Sequence, residues 1–138
     1  MKEINVMEIG GFRVGQVQDE EGMTGCTVLL FDEQAPAGVD VRGGGPASRE
    51  TPLLNPVADA KGIHAILLSG GSAFGLDAAG GVMKYLEERN IGFDACRPEG
   101  LKSRTLLMPM LTGNLGRSSE CPYHKGCCRF FRFADIHL

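Results

Sequence analysis

The stretch LSGGSAFG, residues 68–75, contains the residue types most able to do chemistry in this sequence. Gly70 and Gly71 follow an apolar run and precede a helical pattern, so the first N–H groups of that helix lack partners within it. Such groups bind a phosphate, a carboxylate or a developing oxyanion. The stretch is neither a P-loop nor a dinucleotide fingerprint, because no Gly-Lys-Ser/Thr follows and the glycine spacing differs. The alternative, that the glycines only let the helix pack closely on its strand, stays open.

A second candidate is the turn VDVRGGGPASRET, residues 39–51, which places a glycine triplet between two arginines. Arg42 and Arg49 could hold a carboxylate by charge-assisted hydrogen bonds across Gly43 and Gly44. Glu50 lies close enough in sequence to neutralise one of them. A wide turn with a surface ion pair explains the same residues, and taken alone it is the preferred interpretation.

Two further groups of residues are interpreted without chemistry. His64 lies inside the apolar run IHAILLS, where a lone histidine is typical of a structural position, and no Ser/His/Asp set can be assembled around it. The segment CPYHKGCC, residues 121–128, offers three thiols and an imidazole. Zinc ligands usually come as two separated pairs, whereas these four crowd one short segment, so we predict no metal site and no cofactor.

Length and composition predict one globular domain. The chain has 138 residues, 43% of them hydrophobic, and a net charge of −3, which gives no reason to expect nucleic acid as a partner. No apolar run is long enough to cross a membrane, and the first residues lack the apolar centre of a secretory signal. The expected location is therefore cytoplasmic.

The sequence divides after Asp94 into two unlike parts. Residues 1–94 carry a net charge of −7, and residues 95–138 carry +4 and four of the five cysteines. The second part has no sustained period of 2 or 3.6 and ends in the basic, aromatic run RFFRF. We therefore predict that it does not continue the fold of the first part.

The first part predicts an α/β (α+β) layer structure. Alternation or dense β-branched runs predict strands over residues 11–17, 26–31 and 38–42, and a strand buried on both faces over 63–69. A helix is expected over residues 74–89, with Leu76, Ala79, Met83 and Leu86 on the buried stripe and Asn90 as a left-handed stop. LLNP at 53–56 reads as a single helical turn, Ser72 as a helix cap, and residues 91–93 as the start of another strand.

Four ordered segments together resemble the DmpA-type self-processing aminopeptidases (L-aminopeptidase/D-esterase, β-aminopeptidase). They are IGGFRVGQ (9–16), GMTGCTVLLF (22–31), GVDVRGGGPASRETPLLNP (38–56) and HAILLSGGSAFGLDAAGGVMKYLEERNIGFD (64–94). The resemblance implies part of an αββα four-layer sandwich of the N-terminal-nucleophile type, homo-oligomers, and hydrolysis of short peptides, amides or esters without a metal. It also implies that Ser69, Gly70, Gly71, Ser72 and Phe74 form a wall of the substrate cleft.

The chain departs from that family after Asp94. In family members the self-cleaved Ser or Thr lies far downstream of LSGGSAFG, and nothing in residues 95–138 corresponds to it, so no catalytic residue is assigned. The resulting hypothesis is a truncated or frameshifted member, with residues 95–138 as a divergent tail, that is inactive alone. The alternative is a non-catalytic module that binds anions or a protein partner through the Gly-Gly helix start.

Overall fold

The computed structural model describes residues 3–58, 60–92 and 110–111. These residues form five strands: β1 (Phe12–Asp19), β2 (Thr24–Ala35), β3 (Ser48–Arg49), β4 (Ile63–Ser69) and β5 (Met110–Leu111). Two α-helices, α1 (Ser72–Gly75) and α2 (Ala79–Glu88), are joined by a 3-10 turn, Leu76–Ala78. Two more 3-10 turns lie at Val6–Ile9 and Thr51–Leu54. The second is close to the helical turn predicted around LLNP.

The main sheet is antiparallel, with the order β1-β2-β4. Strands β1 and β2 form a hairpin that runs in continuous register from Phe12 opposite Phe31 to Asp19 opposite Thr24. The carboxylate of Asp19 accepts a hydrogen bond from the Gly22 N–H at 2.9 Å and closes the turn. The strands predicted over residues 11–17, 26–31 and 63–69 are therefore confirmed, with β2 extending to Ala35.

The core lies between one face of this sheet and α2. From the sheet, Cys26, Val28, Leu30, Ala65 and Leu67 are all buried, and from the helix so are Ala79, Val82 and Leu86. Leu76 and Met83 pack at the margin of this cluster. The predicted helical stripe is confirmed, although Val82, which the prediction left out, is more buried than Met83.

The other face of the sheet is covered less completely. Along β4, fully buried residues alternate with the half-buried His64, Ile66 and Leu68. Val14, Leu29 and Ile66 lie opposite one another across the three strands, and all are half-buried. The prediction that β4 is buried on both faces is thus wrong, since only its helix side is fully enclosed.

Several predicted boundaries are wrong. Residues 38–42 form no strand, because their exposed backbone lies next to no partner strand in the part of the chain that is described. The helix begins at Ser72 rather than at 74 and is divided by the 3-10 turn, while Asn90 has the expected left-handed φ of 56°. Residues 91–92 are not in a strand, and Phe93 lies outside the described residues.

Helices and an antiparallel sheet together make this an α+β fold. Of the segment 95–138, only the short strand β5 is described, where Met110 pairs with Arg49 and Leu111 with Ser48. The segment CPYHKGCC lies outside the described residues. In the regions that are described, no helix is both long enough and apolar enough to cross a membrane.

Candidate functional site

The Gly-Gly turn is built by two consecutive left-handed residues at the end of β4. Gly71 has φ 90° and ψ 17°, and Ser72 has φ 56°, a value that is uncommon for a residue with a side chain. The chain therefore reverses sharply between the last strand residue, Ser69, and the first turn of helix. Strained backbone of this kind is found at functional sites more often than elsewhere.

Close backbone packing accounts for the glycines at both ends of this turn. A Cβ at position 70 would overlap the hydroxyl of Thr24, and a Cβ at position 75 would overlap the carbonyl oxygen of Gly70. The Gly70 N–H donates to the Gly25 carbonyl at 2.9 Å, so the turn is tied to the start of β2. The close-packing interpretation of Gly70 is therefore correct, whatever else the turn does.

The side chains of the turn divide into a buried and an exposed set. Ser69 is 3% exposed, its hydroxyl donates to the Gly70 carbonyl at 3.1 Å, and it lies 3.2 Å from the Cys26 sulfur. Ser72 is exposed, and Phe74 is exposed by 56%. Any contact with a ligand would thus come from Ser72, Phe74 and the glycine backbone, and not from the Ser69 hydroxyl.

Ser72 is not the helix cap that its sequence position suggests. Gly71 occupies the cap position, and no side chain of the described residues bonds to the free N–H groups there. Helix α1 is a single turn, and the following 3-10 segment interrupts the alignment of its peptide dipoles. The positive end of a regular helix is therefore weakly developed here, which weakens the case for anion binding.

The turn borders an open surface groove of about 690 Å³ at the hairpin end of the sheet, which we call the hairpin cavity. The cavity is lined by residues 16–20 and 23–27 of the hairpin, together with Leu68 and Gly70. Gln16 and Gln18 contribute amide side chains, and Gln16 Nε2 donates to the Thr27 hydroxyl at 3.2 Å. Among the residues that the structure describes, no lysine or arginine lines the cavity, and the polar groups are amides, hydroxyls and the carboxylates of Asp19 and Glu20.

The hydroxyl of Thr24 is a buried polar group of this region whose hydrogen bonding is not satisfied by the described residues. Its oxygen is buried and has no hydrogen-bond partner among the residues described. It faces the Cα of Gly70, where the missing side chain leaves room for it. Sequence reasoning missed Thr24 and the two glutamines. The alternation of glutamines with apolar residues along β1 was the available signal, but it did not show which face or strand lay opposite.

The arginine turn does not join this cavity. Arg42 is held by Asp40, with Nε and Nη2 at 2.7 Å and 2.6 Å from the same carboxylate oxygen, and both side chains are mostly exposed. The partner predicted for an arginine, Glu50, forms no ion pair within the described residues and has a left-handed φ of 64°. A surface ion pair does occur in this turn, but it joins Arg42 to Asp40, and the pairing predicted for Glu50 is not observed among the described residues.

Arg49 lies apart from Arg42, in the short strand β3. It is half-buried and makes no ion pair or side-chain hydrogen bond with any described residue. Gly43 and Gly44 are exposed, and Gly43 has φ 97°. Of the candidate site residues that the structure describes, only Gly70 lines the cavity.

His64 lies on β4 away from the turn and is half-buried. Partial burial lowers the pKa of its imidazole below the ordinary value of 6.5, because desolvation disfavours the charged form. This agrees with its interpretation as a structural residue. No group of three or more potential metal ligands occurs in the described part of the chain.

Comparison with known proteins gives a consistent picture. Residues 5–112 match the sequence profile of peptidase family S58. An uncharacterized aminopeptidase of Mycobacterium tuberculosis (strain ATCC 25618 / H37Rv) is 43% identical over 96 residues, which are 64% of this chain and 28% of that protein. A 6-aminohexanoate-oligomer endohydrolase of Paenarthrobacter ureafaciens is 35% identical over 88 residues, 64% of this chain and 22% of that enzyme. The chain thus spans only about a quarter of the length of each of these two relatives.

Proposed function

Because the chain belongs to peptidase family S58, we propose that it carries one wall of the active site of a DmpA-type hydrolase. The intact enzyme would cleave N-terminal residues from short peptides, amides or esters. The attacking group would be a Ser or Thr hydroxyl freed by self-cleavage, activated by its own α-amino group or a neighbouring base. This mechanism requires no metal or organic cofactor.

The names of the relatives support hydrolysis as the reaction class. The mycobacterial protein at 43% identity is named an aminopeptidase, and the enzyme from Paenarthrobacter ureafaciens is named for hydrolysis within 6-aminohexanoate oligomers. The first name refers to a peptidase and the second to a hydrolase of an oligomer. A small peptide or a related oligomer is therefore the substrate class proposed for the intact enzyme.

The observation that carries the proposal is the strained turn at Gly71 and Ser72 beside the hairpin cavity. The turn presents Ser72 and Phe74 outward while Gly70 keeps the backbone close to β2. A backbone without side chains lets a substrate approach its amide groups closely. In this proposal the turn orients the scissile group, and a separate segment supplies the nucleophile.

We assign no nucleophile to these 138 residues. Ser69 is buried and bonded to backbone. The Ser72 hydroxyl makes no hydrogen bond to a base among the described residues. The half-covered face of the sheet would pack against a second sheet, which completes the αββα sandwich and brings the nucleophile to the turn. The chain of 138 residues is accordingly proposed to be inactive alone.

A chimera tests the role of the turn. In the Paenarthrobacter enzyme, the 88-residue matched segment is replaced by the corresponding residues of this chain. We expect the chimera to cleave 6-aminohexanoate oligomers, and Gly71→Val in the chimera to abolish cleavage because valine strongly disfavours the left-handed backbone at that position.

Gly80→Ala is the matched control for this chimera, since a Cβ at position 80 meets nothing within 4 Å. It should leave cleavage unchanged. A chimera that folds but does not cleave the oligomers, or a G71V chimera of full activity, would refute the proposed role. For the chain alone, turnover of an amino-acid p-nitroanilide would contradict the absence of a nucleophile.

A further inference from the structure

The outer edge of β1 has a row of backbone groups that no other strand in the described part of the chain satisfies. In an antiparallel pair, residues that bond to one neighbour alternate with residues whose N–H and C=O point to the other side. The Asp32 N–H donates to the Gly11 carbonyl at 3.1 Å, in line with the β1-β2 register, so the odd-numbered residues of β1 bond to β2. The backbone N–H and C=O groups of the even-numbered residues therefore point away from β2, toward the open edge of the sheet.

The residues whose backbone groups point to the open edge are Phe12, Val14, Gln16 and Gln18. Strand β1 is at the end of the sheet order, and none of their backbone groups has a partner among the described residues. An unpaired edge of this length is a template for another strand. Natural edges are usually protected by a proline, by a bulge or by closely spaced charges, and β1 has no proline and no bulge.

We propose that this edge pairs with β1 of a second copy of the chain, in antiparallel orientation and centred on Gln16. The two three-stranded sheets then form one continuous six-stranded sheet. In this register Gln16 lies opposite Gln16 of the second copy and Val14 lies opposite Gln18, so the residues with unsatisfied backbone groups face each other. This interaction surface shares Gln16, Gln18 and Asp19 with the lining of the hairpin cavity. It does not include the Gly70-Gly71 turn and does not depend on the proposed function.

Charge selects this register among those that the backbone allows. Centring on Gln16 places Arg13 of each copy directly opposite Asp19 of the other, which forms two cross-strand pairs of opposite charge. A shift by one backbone-compatible step places Arg13 opposite Val17 or beyond the end of the strand instead. Gly15 lies opposite Val17 in the proposed register, so the helix side of the new junction pairs a small with a larger residue.

The side chains concerned are accessible for such pairing. Arg13 is about half exposed, and its Nε lies 3.8 Å from Asp32 Oδ1, a distance too long for a strong bond. Asp19 uses one oxygen for the Gly22 N–H, and its second oxygen has no partner among the described residues. A second copy supplies an aspartate opposite Arg13 and an arginine opposite Asp19, whereas an uncharged peptide would supply neither.

The test is the oligomeric state of the full chain by analytical ultracentrifugation. We expect a concentration-dependent dimer that salt weakens, because the two ion pairs lie at the surface. R13E and D19R should each raise the dissociation constant by about tenfold or more, since each creates two like-charge pairs. In an equimolar mixture of the R13E and D19R chains both pairs are again of opposite charge, and a mixed dimer should form.

Several outcomes would overturn the proposal. These are a wild-type chain that stays monomeric at every concentration, single variants with an unchanged dissociation constant, and a mixture that associates no better than either variant. D19N serves as the control for the turn between β1 and β2, because its side-chain oxygen can still accept from the Gly22 N–H while the charge is lost. It should weaken the dimer less than D19R does.

A proline provides a second test through the backbone. Gln16→Pro removes an N–H that points away from β2, so the hairpin bonds remain while the centre of the outer edge is blocked. Gln16→Val keeps the N–H and is the matched control. We expect Q16P to be monomeric with an unchanged far-ultraviolet circular dichroism spectrum and Q16V to dimerise. A Q16P chain that still dimerises would show that another surface is responsible.

Discussion

At the scale of single residues, two glycines five residues apart, Gly75 and Gly80, have opposite roles in this chain. Gly75 closes the turn against the carbonyl of Gly70 and leaves no space for a side chain. Gly80 lies in α2 on an exposed position with open space around it. One glycine is required by packing, whereas the other only costs helix stability.

The first prediction contrasts alanine at these two positions. Gly75→Ala should lower the free energy of unfolding by about 1–3 kcal/mol, because its Cβ has no room beside the Gly70 carbonyl. Gly80→Ala should raise it by about 0.5–1 kcal/mol through helix propensity. Urea unfolding followed by circular dichroism measures both. Equal effects of the two substitutions would show that the turn is not closely packed.

The second prediction concerns the pH dependence contributed by His64. Its pKa in the folded chain is below 6.5, so the unfolded state binds more protons between the folded pKa and 6.5. The free energy of unfolding should therefore fall as the pH drops through 6.5, and the contribution is fully present at higher pH. His64→Asn should remove this dependence. Urea unfolding at a series of pH values compares the two chains, and parallel profiles would contradict the prediction.

At the scale of elements, β4 separates an enclosed face of the sheet from a half-covered one. Leu67 points into the core against α2 and is 0% exposed, while its neighbour Leu68 is half-buried on the opposite face. The same leucine-to-alanine change at adjacent positions therefore compares the two faces directly.

The third prediction is that Leu67→Ala lowers the free energy of unfolding by about 2–5 kcal/mol, as is usual for a cavity in a packed core. Leu68→Ala should cost less than half as much, since solvent already reaches that side chain. Denaturant titration measures the difference. Similar costs at both positions would mean that the second face is as well packed as the first.

The elements could largely be predicted where local pattern and tertiary context agree. The run IHAILLS gave β4 with its observed limits, because dense aliphatic residues between glycines favour one extended segment. Alternation alone predicted a strand over residues 38–42 wrongly, since a strand also needs a neighbour and the sequence does not reveal one. The role of Gly75 was not predicted either, because it depends on a contact with the carbonyl of Gly70 across the turn.

The candidate site was predictable only in part for the same reason. The pair Gly70-Gly71 marked the turn, but the cavity beside it is made by the hairpin. Its Thr24 begins β2 and is separated from Gly70 by the rest of β2, all of β4 and the segment between these strands. The ion pair of Arg42 was expected, yet its partner is two residues before it rather than in the following segment. Long-range register determines these contacts, and composition does not encode it.

At the scale of the whole molecule, the sheet has one face enclosed by α2 and one face that is apolar and half-covered. Phe12 and Phe31 contribute to the second face as cross-strand partners, with ring centroids 6.5 Å apart. Val14, Leu29 and Ile66 form the next row. A face of this composition suits packing against a second sheet, which is the arrangement proposed for the intact hydrolase.

The fourth prediction tests that arrangement with Leu29→Thr, which introduces a β-branched side chain suited to a strand and adds a hydroxyl to the apolar face. In the 138-residue chain the substitution should lower the free energy of unfolding by no more than about 1.5 kcal/mol, because Leu29 is only half-buried. In the chimera with the Paenarthrobacter enzyme, the same hydroxyl would be buried between two sheets without a partner. We therefore expect the chimera to lose most of its self-cleavage and hydrolysis, with both assays run beside the G80A chimera. If the chimera tolerates Leu29→Thr as well as the isolated chain does, the half-covered face cannot be the surface that the second sheet occupies.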